Sequence, residues 1–114
     1  LHLHWYTSNK IDNDFTVFVH ILDESDNIVL QADRPPLNGY WPTSAWIPDE
    51  KVLDSHRIVL PSDVYQYIDT IAIGLYDSNT GMRVPAYSKD GIEHRHWQVM
   101  IDIGEILKDF SNSN

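Results

Sequence analysis

Apolar and polar side chains alternate along several stretches of the chain, and a period of two residues is typical of β-strands. The clearest stretch covers residues 15–22, where both sets of alternating positions are largely apolar. One face carries Phe15, Val17, Val19 and Ile21, and the other carries Thr16, Phe18, His20 and Leu22. A strand with two apolar faces is covered on both sides, so the pattern predicts a central strand.

The same alternation predicts further strands that are separated by turn sequences. Residues 28–32 return as a hairpin after the turn at 23–27, where Asp and Asn can bond their own backbone and tolerate left-handed conformations. Gly81 suits the positive φ of a tight loop between strands at 69–77 and 82–87. The remaining alternating segments are residues 1–6, 52–60 and 96–103. We therefore expect an all-β fold, an antiparallel β-sandwich of about seven strands that is immunoglobulin-like or jelly-roll-like.

Residues 34–51 interrupt this pattern, because Pro35, Pro36, Pro42 and Pro48 all lie there. Proline has no N–H for a sheet ladder, so the segment is predicted to be a long ordered loop or an edge crossing.

Two short helical pieces are also expected. One is a single turn at residues 62–67 with Ser62 as its N-cap, and the other is a short C-terminal helix at 104–110. Residues 1–110 are then expected to form a single domain, followed by a disordered tail at 111–114.

Composition and charge exclude several classes of protein. Eight Lys and Arg residues against 17 Asp and Glu give a formal net charge of −9, which repels phosphate backbones and argues against nucleic-acid binding. Cysteine is absent, so disulfides and thiolate chemistry are excluded. No run of about 18 apolar residues occurs, so this piece is not expected to insert into a membrane. It begins at Leu1 without an initiator Met, as a fragment or a processed piece of a larger protein would.

Three aromatic residues of the proline-rich segment are candidate ligand-binding residues. Tyr40, Trp41 and Trp46 lie within seven residues of one another. Flat aromatic faces can stack on the apolar C–H face of a sugar while neighbouring polar groups bond its hydroxyls. The alternative is that the indoles anchor the loop on the sheets, because Trp is highly buried on average.

Metal and catalytic sites receive weaker support from the sequence. His20, Asp54 and His56 could meet as metal ligands from neighbouring strands, but Asp54 and His56 alone would form a hydrogen-bonded polar pair, which we favour. The acidic turn at 23–27 lacks the glycine and the final glutamate of an EF-hand loop, so it is interpreted as a solvated turn. No nucleophile motif such as G-x-S-x-G is present. We therefore expect no enzyme activity, no cofactor and no bound metal.

Four segments together resemble one protein family. They are DFTVFVHILD at 14–23, ADRPPLNG at 32–39, PTSAWIPDE at 42–50 and GLYDSNTGMR at 74–83. The same order is found in soluble β-sandwich domains at the C-terminal end of bacterial polytopic membrane glycosyltransferases, which resemble the protein mannosyltransferase and arabinosyltransferase class. The resemblance covers residues 3–103, and Asp49 departs from it, because the family usually has glycine before the glutamate.

The resemblance implies a location on the extracytoplasmic face of the membrane, as part of a larger membrane protein. The catalytic acids of such proteins lie in their membrane part, so no catalytic residue carries over to this chain. The expected function is a non-catalytic accessory domain that binds a glycan or packs on the membrane domain of the same protein. The alternative is a structural or protein–protein interaction module without a small-molecule ligand.

Overall fold

Two antiparallel sheets make up the fold of this protein in a computed structural model that describes residues 1–88 and 90–103. The all-β class is therefore confirmed, and the helical pieces among these residues are short 3-10 turns. The described strands are β1 (His2–Trp5), β2 (Thr16–Leu22), β3 (Ile28–Gln31), β4 (Val52–Ser55), β5 (Thr70–Tyr76) and β6 (Val99–Asp102). None of the helices in these ranges is long and apolar enough to cross a membrane.

The larger sheet has four strands in the order β3-β2-β5-β6. The prediction of a central strand is confirmed, because β2 lies between β3 and β5 and is mostly buried on both faces. Its register places Val17 opposite Leu75 and Ile21 opposite Ile71, so these aliphatic side chains of the two strands share one face. Such cross-strand apolar pairs are the main stabilising unit of a sheet.

The smaller sheet pairs β1 with β4, with Trp5 opposite Val52. Both sheets supply side chains to one core, since Val52 of β4 and Val17 of β2 belong to the same buried cluster and Leu3 of β1 packs against it. The buried members of this core cluster are Val17, Val19, Ile21, Trp46, Val52, Ile68 and Leu75. Each buried aliphatic side chain of this kind contributes about 1.5–3 kcal/mol relative to exposure.

Turn chemistry closes the hairpins as the sequence predicts. The Asp23 carboxylate accepts hydrogen bonds from the backbone N–H groups of Ser25 and Asn27, both at 2.9 Å, and Asp26 takes a φ of 63°. Gly81 takes a φ of 74°, and its N–H donates to the carbonyl of Asp77 at 2.7 Å.

Several predicted strands are shorter than expected, and the described residues form six. The segment at 82–87 makes isolated bridges through Arg83 and Tyr87, because Pro85 between them lacks a ladder donor. The final strand starts at Val99, since His96 and Trp97 have left-handed φ values of 55° and 52°.

The other predicted elements differ in a similar way. The strand predicted at 52–60 ends at Ser55, opposite the first residue of β1. The turn at 62–67 contains the 3-10 helix Tyr65–Tyr67, whose N-cap is Val64 and not Ser62. The helix predicted at 104–110 and the tail at 111–114 lie outside the described residues.

Candidate functional site

The proline-rich segment crosses from β3 to β4 and is fixed to the sheets at several points. Arg34 and Val17 exchange two backbone hydrogen bonds of 2.9 and 3.0 Å at its start. Thr43 is fully buried in the middle, where its hydroxyl donates to the carbonyl of Asn13 at 2.6 Å and accepts the N–H of Phe15 at 3.0 Å. The segment is thus the ordered crossing that the prolines predict.

Trp46 is the apolar anchor of this segment. Its side chain is 2% exposed, and its ring centroid lies 6.1 Å from that of Trp5 on β1. The indole Nε1–H donates to the carbonyl oxygen of Trp41 at 3.0 Å, which fixes the backbone of the exposed part of the loop. Trp46 is therefore not part of an exposed aromatic platform, because its ring packs in the core.

Tyr40 and Trp41 lie on the surface, at 87% and 43% exposure. Trp41 forms one side of an open groove of about 310 Å³ between the loop and β4, which we call the Trp41 groove. Its lining residues are Leu37, Trp41, Ile47, Glu50, Lys51, Val52 and Leu53. An indole, four aliphatic side chains and a pair of opposite charges are thus brought together on one surface.

A buried ionic cluster holds the loop beneath this groove. Asp54 of β4 is fully buried, and its Oδ1 lies 3.3 Å from Nη2 of Arg34. The same oxygen accepts the backbone N–H of Leu37, a lining residue of the groove, at 3.0 Å. Arg34 also donates to the carbonyl of Ser55. Asp54 therefore positions a groove residue whose φ of 51° is left-handed.

His56 completes the cluster, and its surroundings favour the neutral ring. Its Nε2 lies 2.7 Å from Oδ2 of Asp54, so Nε2 carries the proton that is donated to the carboxylate. Nδ1 is buried and has no partner among the described residues. Burial lowers the pKa of His56 below its usual 6.5 against the opposing effect of Asp54, and the nearby charge of Arg34 lowers it further.

The three residues of the metal hypothesis are not brought together. Asp54 and His56 form the hydrogen-bonded pair that was the favoured interpretation, whereas His20 lies on the other sheet beside Asp33 at 3.6 Å. Within residues 1–88 and 90–103 there is no group of three or more His, Cys, Asp or Glu side chains placed to hold a metal ion.

No family model, curated protein or solved structure matches this chain.

Sequence reasoning missed the aliphatic half of the Trp41 groove. Ile47 and Leu53 are 52% and 51% exposed, although their residue type favours burial. A signal for Leu53 was present, because alternation along β4 sends Val52 and Asp54 inward and must send Leu53 outward. Leu37 and Ile47 lie in irregular backbone, where no periodicity indicates which way a side chain points.

Proposed function

We propose that this chain is a non-catalytic accessory domain, a β-sandwich on the extracytoplasmic side of a larger membrane glycosyltransferase-like protein, that binds a glycan in the Trp41 groove. The resemblance of four of its segments to such domains supports the setting. The groove supports the binding role, and one observation carries it. A tryptophan side chain is 43% exposed beside a shallow groove, while its own backbone is fixed by a buried neighbour.

The chemistry of the groove suits a sugar. The indole face of Trp41 offers a flat apolar surface for the C–H face of a pyranose ring. Glu50 and Lys51 supply an acceptor and a donor for hydroxyl groups at the same surface. Its volume of about 310 Å³ lies at the small end of ligand sites, so a short stretch of glycan fits better than an enclosed ligand.

Titration of the 114-residue chain with a panel of neutral oligosaccharides, followed by NMR of the indole N–H groups, tests this proposal. Binding is expected to shift the Trp41 signal, and Trp41→Ala is expected to abolish binding while the chain stays folded. Tyr67→Ala is a matched control, because Tyr67 is a 56% exposed aromatic residue outside the groove. Trp46→Ala is expected to lower the free energy of unfolding by about 3–5 kcal/mol through loss of a core side chain.

The sugar-binding proposal is wrong if no oligosaccharide shifts the Trp41 signal, or if Trp41→Ala and Tyr67→Ala bind equally well. A panel of several sugar types is needed, because the groove geometry selects a ring face and not one particular sugar.

The second candidate is a protein contact through the same groove. Its support is the exposure of Ile47 and Leu53 beside Trp41, since adjoining exposed apolar side chains mark protein interaction surfaces. Ile47→Ser and Leu53→Ser separate the two candidates. Sugar stacking on Trp41 survives both changes, whereas packing against another protein surface weakens with each.

A further inference from the structure

A second groove lies on the other side of the four-stranded sheet, on the face that turns away from the core. Its floor is made by Leu22 and Ala72, which are 6% and 1% exposed on the two central strands. Ile28 on β3 and Met100 on β6 form its sides and are 47% and 46% exposed. The volume is about 580 Å³, within the range of about 300–1,000 Å³ typical of small-molecule sites. We call it the outer-face groove.

One end of this groove is cationic, and its arginine is held in place. Nη1 of Arg83 donates to Oε1 of Gln98 at 2.9 Å and to the carbonyl oxygen of His96 at 3.1 Å. The guanidinium carbon lies 4.5 Å from the ring centroid of Phe18, which gives a cation–π contact. Both hydrogen bonds use Nη1, and within residues 1–88 and 90–103 the Nε and Nη2 donors of the guanidinium make no hydrogen bond that would compete with a ligand.

Three further basic residues line the same groove. Arg95 is exposed on the 3-10 turn Arg95–Trp97, and His96 follows it. His20 projects from β2, with its ring 4.9 Å from that of Phe18 and its Nε2 3.6 Å from Asp33.

This concentration of basic groups is opposite to the charge of the whole chain. The chain has only eight Lys and Arg residues and a net charge of −9, yet two of its arginines line this groove. Asp26 is the acidic residue among the described lining residues, and it lies in the β2–β3 turn. Arginine forks match the oxygens of carboxylates and phosphates and bind them with charge-assisted hydrogen bonds.

We propose that the outer-face groove binds a small organic molecule that carries an oxyanion, either a phosphate or a carboxylate. Arg83 and Arg95 bind the oxyanion, and the apolar part of the molecule rests on Ala72 and Met100. Asp26 faces the remainder of the ligand, where it accepts a hydrogen bond from a hydroxyl and rejects a second negative charge. This site shares no lining residue with the Trp41 groove and does not depend on the function proposed for that groove.

The test is an NMR titration of the backbone amides of the 114-residue chain with four probes: inorganic phosphate, glucose 6-phosphate, glucuronate and uncharged glucose. Saturable shifts are expected at Arg95, His96 and Met100 with glucose 6-phosphate, with glucuronate or with both, and not with glucose. The two organic anions distinguish a phosphate site from a carboxylate site. Inorganic phosphate is expected to bind more weakly than glucose 6-phosphate, because it lacks the part that rests on the groove floor.

Two pairs of variants locate the site. Met100→Glu places a negative charge in the groove and is expected to abolish anion binding, whereas Met82→Glu adds the same charge at a 66% exposed position outside it. Arg95→Gln is expected to weaken binding about threefold to tenfold. Arg57→Gln removes the same charge from an exposed residue that does not line the groove and serves as its control.

Three results overturn the proposal. The first is the absence of saturable shifts with either organic anion. The second is a set of shifts that both organic anions produce, that glucose does not produce, and that lie outside the outer-face groove. The third is equal weakening by a groove variant and its matched control. If Met100→Glu loses the amide dispersion of a folded chain, Arg95→Gln serves as the groove variant instead. Arg95 is exposed, so its substitution leaves the sheet intact.

Discussion

Asp49 has a left-handed backbone conformation, with a φ of 66°, in the loop that carries the Trp41 groove. Aspartate has a Cβ that makes this conformation unfavourable, whereas glycine adopts positive φ without a Cβ penalty. The backbone N–H of Asp49 donates to the carbonyl of Thr7 at 2.8 Å. A glycine at this position keeps that hydrogen bond, because it involves only the backbone.

Asp49→Gly is therefore expected to raise the free energy of unfolding by up to about 1 kcal/mol. Urea denaturation measures the change. Asp12→Gly is the control, because Asp12 is exposed and does not have a positive φ, and it is expected to lower stability or leave it unchanged. A less stable Asp49→Gly chain would show that the Asp49 side chain stabilises the loop in some other way.

His56 makes the stability of the protein depend on pH. Burial lowers the pKa of the folded-state ring, so the unfolded chain binds more protons in the window just below 6.5. Stability from this group is complete above pH 6.5 and is lost as the pH falls towards the lower folded-state pKa. Protonation would also place a buried N–H at Nδ1, which has no acceptor among the described residues.

Thermal unfolding between pH 7.5 and 5 measures this effect, and His56→Gln is expected to flatten the decline in melting temperature as the pH falls. His4→Gln removes an exposed histidine from the neighbouring strand and is expected to keep the decline of the original chain. An unchanged pH profile in His56→Gln would contradict the assignment of the effect to His56.

At the scale of the elements, the outer face of strands β2 and β5 is covered at one point by another segment, and the close packing there requires a glycine on β5. A Cβ on Gly74 would collide with the ring of Phe18 and lie 2.8 Å from the carbonyl oxygen of Trp97. The glycine therefore lets the 3-10 turn Arg95–Trp97 approach the sheet, and that turn carries the cationic end of the outer-face groove.

Gly74→Ala is expected to destabilise the protein by about 1–3 kcal/mol through overpacking. Adding Phe18→Leu is expected to recover part of the loss, because a smaller side chain leaves space for the new methyl group. A double-mutant cycle from denaturant unfolding measures the coupling. Strict additivity of the two changes would contradict the contact between residues 74 and 18.

The pattern of the sequence predicted the elements whose contacts are local. The two apolar faces of residues 15–22 predicted the central position of β2, and the residues of the 23–27 turn predicted the hairpin to β3. Alternation also sends Asp54 inward with Val52, which made the polar pair with His56 an expected feature.

Contacts between distant segments were beyond the reach of the pattern. Trp41 and Trp46 are five residues apart in one loop, yet Trp46 packs beside Trp5 of β1 and is buried, whereas Trp41 is 43% exposed at the groove. The outer-face groove likewise brings Arg83 and Gln98 together from segments 15 residues apart, through a turn with left-handed residues that no periodicity indicates.

At the scale of the whole molecule, the described residues 1–88 and 90–103 form two separate grooves, one on each sheet, around a shared core. The Trp41 groove is aromatic and aliphatic, whereas the outer-face groove is cationic in a chain of net charge −9. Screening by salt distinguishes them, because the attraction of an oxyanion to Arg95 weakens at high ionic strength and stacking on an indole does not. Ligand binding at each groove is thus separately measurable in one protein sample.

Glycan binding by the Trp41 groove is the central claim, and the most direct test is to locate a bound oligosaccharide by intermolecular NOEs to the aromatic protons of the chain. The account predicts NOEs from the C–H protons of one sugar face to the indole protons of Trp41, with none to the buried ring of Trp46. NOEs that map to a different surface, or a complete absence of NOEs at saturating oligosaccharide, would contradict it.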